Sequence, residues 1–233
     1  MKETLRLEIK DFGGELLERF LPRLVVAASS NETISKLIQL ASRERIRIIA
    51  TGKGTSFPAN FQPPPNTIFL LTLGMNSILE VRFDDAVVIL QAGTLVSTLK
   101  EKMEGTELEL PASVSDYAGT IGGAMLGPDA TGRRHAEFCR RLLGVELVDA
   151  RGRIVRFGGG TVKNVAGYDY WTFLVGTAGR FGVLTRLILN LERMPKFSVE
   201  SAVRAAGGSA DGSNRWIIAN LEKRLDPDGI FVR

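Results

Sequence analysis

The chain has 233 residues, 44% hydrophobic and 24% charged, enough apolar material for one large core or two smaller ones sharing an interface. Its net charge of +4 suits a small anionic ligand and falls short of the dense basic stripe of a dedicated nucleic-acid binder. Cys139 is the only cysteine and His135 the only histidine, which excludes disulfide frameworks, thiolate zinc sites and iron–sulfur clusters held by this chain alone.

In chain order, Leu24-Val25-Val26-Ala27 is a short apolar run. Ser30-Asn31-Glu32 then offers a helix cap, with Ile34, Leu37, Ile38 and Ala41 at helical spacing behind it. Ile46 to Ala50 is apolar and β-branched, which predicts a strand, and it runs into Thr51-Gly52-Lys53-Gly54-Thr55-Ser56. A proline-rich loop follows, then strands at Ile68–Thr72, Ile78–Phe83 and Ala86–Ala92, separated by Gly74-Met75-Asn76 and Asp84-Asp85 turns. Gly93-Thr94 opens a helix through Leu95 and Leu99, and 105–132 reads as loop. Strands are predicted at Leu142–Asp149, Arg153–Phe157 and Val183–Leu191, with Asp149-Ala150-Arg151-Gly152 as a hairpin turn between the first two. Ser, Ala and Gly dominate 196–214, which reads as a linker. The residues Trp216, Ile217, Leu221 and Leu225 predict a closing helix, ended by Asp226-Pro227-Asp228-Gly229.

Several motifs bear on chemistry. Gly52-Lys53-Gly54-Thr55-Ser56 follows a strand, so its amides and hydroxyls either form an anion-binding concavity or a plain solvated turn. It is no Walker loop: the spacing differs, and prolines follow where a helix is required. Gly176-Thr177-Ala178-Gly179-Arg180-Phe181-Gly182 is no dinucleotide fingerprint either, because the strand comes after the glycines. Those glycines turn the chain into the strand at Val183. The cluster Arg133-Arg134-His135 with Arg140-Arg141 reads as a solvated basic face, with screening of phosphate charge as its second possible role. A single histidine and the lack of a Gly-x-Ser-x-Gly elbow leave hydrolase chemistry without support, and no residue cluster suggests a metal. No catalytic residue is identified, so redox chemistry would rest on a bound cofactor.

Five segments in order resemble the FAD-linked oxidases, the vanillyl-alcohol-oxidase-type or PCMH-type FAD domain: Gly52 to Ser56, Leu110-Pro111, Thr120-Ile121-Gly122-Gly123, Gly158 to Tyr170, and Gly176 to Thr185. Within the family the likeness runs to the E-type FAD-binding subunit of bacterial glycolate oxidase, through Phe157-Gly158-Gly159 and Val162-Lys163-Asn164-Val165-Ala166-Gly167-Tyr168-Asp169. The resemblance implies an α+β fold of two α/β subdomains, about 20–93 and about 94–195, within an FAD-binding domain of residues 1–195, followed by the linker 196–214 and the helix and tail 215–233. It places Gly52, Lys53, Gly54, Thr55 and Ser56 at the FAD pyrophosphate. It sets Pro111, Thr120, Ile121, Gly122 and Gly123 along the flavin and ribityl side, and Gly179 and Val183 at the far end of the cofactor.

Family members that bind FAD covalently use a histidine in the first glycine loop, which this loop lacks, so the expected cofactor is non-covalent FAD. Lys53 stands where the family commonly has glycine. Pro195 runs through the short linker almost directly into the tail, so the family's cap (substrate) domain is expected to be missing. The implied protein is a subunit of a glycolate-oxidase-like 2-hydroxy-acid dehydrogenase complex. Hydride would pass from the hydroxyl-bearing carbon to the flavin, with a second flavin subunit and an iron–sulfur subunit as partners. The alternative is a degenerate flavin fold kept as a non-catalytic assembly subunit. Neither nucleic acid nor a membrane span is expected, and the location is cytoplasmic, peripheral to the inner membrane only through the complex. Gly158-Gly159-Gly160 is read as a tight reversal, with Lys163-Asn164 and Tyr168-Asp169 locking the loop that follows.

Overall fold

A computed structural model describes residues 3–17, 24–58, 60–159 and 170–194. The chain divides into two units, Met1–Glu192 and Arg193–Arg233; of the second, only Arg193 and Met194 are described. The predicted linker, closing helix and tail, and Gly160 to Asp169, therefore lie outside the described residues.

The first unit opens with helix α1 (Glu3–Asp11) and strands β1 (Glu15–Leu16) and β2 (Leu24–Ala27). Helix α2 (Asn31–Arg43) starts where the sequence predicts a cap: the backbone N–H of Thr33 donates to the Ser30 hydroxyl at 3.1 Å. Such a cap contributes about 1 kcal/mol. Its apolar stripe, Ile34, Leu37, Ile38 and Ala41, is buried as the helical spacing requires. Strands β3 (Arg47–Thr51) and β4 (Thr67–Leu71) complete a sheet in the order β1-β2-β4-β3, with β2 and β3 both parallel to the central β4. Parallel pairing needs a crossover, and α2 supplies it between β2 and β3.

The second sheet is antiparallel throughout. Strands β5 (Ile78–Arg82), β6 (Val87–Gln91), β8 (Leu142–Val148), β9 (Ile154–Gly158) and β10 (Val183–Asn190) stand in the order β5-β6-β10-β8-β9. The boundary between the sheets thus falls between Leu71 and Ile78. The hairpin β5–β6 pairs with β10 from far along the chain, and no local pattern reveals a partner that distant.

Between β6 and β8 lie helix α3 (Val96–Met103), the short strand β7 (Leu108–Glu109) and helices α4 (Ala112–Ser115), α5 (Ile121–Leu126) and α6 (Arg133–Arg141). The stretch 105–132, read as loop from its prolines and glycines, is therefore substantially ordered. Ile121, Ala124 and Met125 of α5 are fully buried, and this packing overrides the poor helix propensity of Gly122-Gly123. Gly158 does end β9 in a left-handed conformation (φ +73°), with the Leu143 carbonyl where a side chain would stand.

One buried carboxylate ties the two sheets together. Glu146, on β8 and 5% exposed, accepts from Asn31 of α2 (2.8 Å), from Arg156 of β9 (2.5 Å) and from Arg186 of β10 (3.1 Å). Burial by itself would raise its pKa. The hydrogen bonds from Arg156 and Asn31 and the positive field of Arg186 outweigh that and hold it below the ordinary glutamate value. A carboxyl depressed in the folded state stabilises the fold at pH values above its unfolded pKa, and that stability is lost as pH falls through the folded one. We expect Glu146→Gln to cost about 1–3 kcal/mol at neutral pH, read by denaturant unfolding. The gap between the variant and the parent should narrow steadily as the measurements move into acid.

Candidate functional site: a glycine-lined cleft between the two sheets

The C-terminal ends of β3 and β4, the end of β6, the start of β10 and the helix α5 converge on one cleft of about 250 Å³. Open parallel sheets place ligands off the carboxyl ends of their strands, and this cleft lies there. Its walls are Ile49 to Gly52, Ser56 and Phe57 from β3 and the loop after it; Thr72 and Ala92 after β4 and β6; Thr120, Gly122, Gly123 and Leu126 to Pro128; and Ala178, Gly179 and Gly182 to Leu184. Three of the sequence segments thus meet here: the first glycine loop, the Thr-Ile-Gly-Gly segment, and the glycines before β10.

The loop Gly52–Ser56 carries donors without acceptors. Among the described residues, none of its five backbone N–H groups gives a hydrogen bond. Gly54 is left-handed (φ +78°), the kind of local reversal that lets successive amides face one way. By contrast, the amides opening α5 are all engaged. Ile121 donates to the Thr94 carbonyl (2.8 Å), Gly122 to the Ala92 carbonyl (2.9 Å) and Gly123 to the Thr120 hydroxyl (3.1 Å). The free anion donors therefore sit in the loop and not at the helix.

Gly52 has a steric reason to be glycine. A Cβ there would stand 2.2 Å from Thr120 Oγ1 and 2.6 Å from its Cγ2. Thr120 is itself 2% exposed and caps α5, so it has little room to yield. On the opposite wall Gly182 (φ +147°) lies with the Val148 carbonyl 2.4 Å from where its Cβ would be, which lets the chain enter β10 against β8 as the sequence predicts.

The other predicted residues are distributed unevenly. Gly52, Ser56, Thr120, Gly122, Gly123, Gly179 and Val183 line the cleft. Lys53, Gly54 and Thr55 do not, although they share its loop; Lys53 is exposed and makes no ion pair among the described residues. Ile121 points into the core and is fully buried. Pro111 caps α4 and lines a separate small pocket with Phe138 and Leu189. Proline's fixed φ opens a helix as readily as it edges a ligand, so sequence could not separate the two roles.

Sequence reasoning missed Phe57, Leu126 and Pro128, which supply apolar wall. Phe57 stacks on Phe61 (4.7 Å between centroids) and meets Phe69 of β4 edge-on (6.0 Å), which anchors the proline-rich loop to the first sheet. A phenylalanine directly after a glycine loop is the one signal that could have found it.

The basic cluster is largely spent within the fold. Arg134 folds back, donating to the Ala124 carbonyl (2.7 Å) and the Pro128 carbonyl, and lies over the Tyr117 ring at 4.6 Å. Arg140 and Arg141 pair with Glu137, and Arg141 also with Glu192. His135 Nε2 donates to the Gly127 carbonyl at 2.8 Å, so that nitrogen carries the proton. Asp129 accepts the His135 backbone N–H (3.0 Å) together with the Thr131 hydroxyl and amide, and these bonds outweigh its partial burial and lower its pKa to about 2. Among the described residues no helix is long and apolar enough to cross a membrane, and no cluster of metal ligands occurs.

This geometry defines a cleft for an anionic, partly apolar ligand on a two-sheet α+β scaffold. A family model described as "FAD binding domain" matches residues 22–158, more than half of the chain. The chain belongs to this FAD-binding-domain family, of PCMH type, and its cofactor is FAD. Among curated relatives it is 28% identical over 210 residues to glycolate oxidase subunit GlcD of Bacillus subtilis, covering 89% of this chain and 44% of that one. It is 32% identical over 171 residues to a D-lactate dehydrogenase of Archaeoglobus fulgidus, covering 72% and 38%. In fold it is similar to BBE-like 1 of Physcomitrella patens, with a TM-score of 0.62 at 16% identity over 81% of this chain and 44% of that one. The chain spans less than half the length of these curated relatives.

The Gly52–Thr120 contact yields a prediction. Gly52→Ala should destabilise the protein by about 1–3 kcal/mol, since it overpacks a capped, buried threonine. Thermal unfolding of the purified variant measures it, and an unchanged midpoint would contradict so close an approach.

Proposed function

We propose that this chain is the FAD-binding subunit of a 2-hydroxy-acid dehydrogenase complex of the glycolate-oxidase kind, holding FAD without a covalent bond. The observation that carries the reading is the loop Gly52–Ser56: among the described residues its five amides lack acceptors, and its first and last residues line the cleft. A diphosphate needs donors of this sort, supplied without a side chain in the way. The residues that would hold the cofactor are Gly52 to Ser56 toward its diphosphate, and Thr120, Gly122, Gly123, Gly179 and Val183 along the cleft walls. Lys53, exposed beside the amides, adds positive charge that favours an anion without occupying the cleft. Phe57 and Leu126 shield the interior from water. Bound FAD would supply the two-electron acceptor for oxidation of a hydroxyl-bearing carbon.

Non-covalent retention is supported by His135. It is the only histidine of the chain, lies outside the first glycine loop, and is engaged with Gly127.

The subunit reading is supported by what lines the cleft. Among its described lining residues none is titratable, so none can take the proton of a substrate hydroxyl. A base would come from another segment or another protein, which favours a complex with a second flavin subunit and an iron–sulfur subunit as electron acceptor. Residues 1–195 would form the FAD-binding domain, and 196–214 a linker to the tail.

The same lack of a base favours a second reading, a flavin fold that assembles without catalysing. A spectrum separates the two. On the first reading the purified protein is yellow, or becomes so with added FAD, and acid precipitation releases all the flavin into the supernatant. A protein that takes up no FAD supports the second.

A further inference from the structure

Tyr117 lies outside the cleft and belongs to none of the motifs, yet it reaches the glycine loop. Its hydroxyl is 2.9 Å from Ser56 Oγ, across 61 residues of chain. The ring occupies space that two glycines leave open. A Cβ on Gly119 would meet ring atom Cε1 at 2.5 Å, and one on Gly123 would meet the hydroxyl at 3.2 Å. Behind the ring stands Arg134 at 4.6 Å, its guanidinium held by the Ala124 and Pro128 carbonyls. A cation over the ring face favours donation by the phenol, and the Ser56 hydroxyl is its partner in reach, either oxygen of the pair being able to donate.

The chain of contacts therefore runs from α6 through Arg134 and Tyr117 to Ser56, the last residue of the loop with unpaired amides. Gly52 packs against Thr120 at the loop's start, but among the described residues the loop's only other hydrogen bond is local, from the Phe57 amide to the Gly54 carbonyl at 3.4 Å. Ordering five residues costs several kcal/mol of backbone entropy, and a loop left free would incur that cost on binding. We propose that Tyr117, backed by Arg134, is a positioning residue that holds Gly52–Ser56 ready for a diphosphate and so sets the affinity for FAD. This rests on the functional reading above.

The test uses the full chain, its Tyr117→Phe and Ser56→Ala variants, and the double variant. Tyr117→Phe keeps the ring and removes only the hydroxyl. FAD titration followed by flavin fluorescence should show affinity about fivefold to tenfold weaker, the loss expected of one hydrogen bond. ADP, which carries the diphosphate without the flavin, should weaken by the same factor. In the Ser56→Ala background the tyrosine substitution should add nothing, because its only route to the loop is gone. Without ligand, hydrogen exchange at Gly52–Ser56 should quicken while the melting midpoint moves by no more than about 2 °C. Unchanged affinity and exchange in Tyr117→Phe would overturn the proposal, as would a loss of global stability that accounts for the weaker binding. If the parent protein binds no FAD, the functional reading fails, and the exchange of the loop amides alone decides whether Tyr117 positions them.

Discussion

Everything about the cleft depends on how closely Gly52 and Thr120 approach. The first closes a parallel strand of one sheet; the second caps a helix packed on the other. With no side chain at Gly52, the threonine hydroxyl satisfies the Gly123 amide and still lies against the neighbouring strand end. One methyl group at this point would push the loop away from the wall. The cleft is thus the gap left where two separately built sheets meet at close contacts, here and where Gly93 lies against the Thr72 carbonyl.

That contact requires the sheets to hold their mutual position, and Glu146 contributes to this by tying α2 to the second sheet. A single carboxylate binding a helix of one layer and two strands of the other is costly to bury and strong once paired. Apolar packing alone would allow the layers to slide. The three directed bonds of Glu146 specify one arrangement, and the cores reinforce it where Val148 and Val183 of the antiparallel sheet pack among Ile34, Leu37 and Ile68. The character of the cleft follows from this arrangement: unpaired amides lie in the loop beside it, its walls are mostly apolar side chains and glycines, and no titratable side chain is among its described lining residues.

This chain's low sequence identity to structures of similar fold is understandable in these terms. What the cleft needs is backbone: free amides, absent Cβ atoms and a few close approaches. Many sequences satisfy that. Tyr117 and Arg134 support this backbone from outside the cleft, and Phe57 supplies part of its wall.

By itself the sequence determined the local elements and the identity of the segments that meet. Ser30 and the 3.6-residue spacing after it dictate α2; β-branched runs dictate β3, β4 and β10; glycines that admit close approach mark the loops. The cofactor was legible only through the resemblance of the ordered motifs to a known family, since the glycine loop by itself fits a solvated turn as well as an anion site. Only the tertiary structure decided that β5 and β6 join the second sheet, that 105–132 contains helices, that Pro111 stands apart from the cleft while Phe57 lines it, and that Arg134 of the basic cluster folds back onto Tyr117. These depend on partners outside the local window, for β5 and β6 about a hundred residues along the chain, and packing against such partners outweighs the local preferences that periodicity and propensity can register.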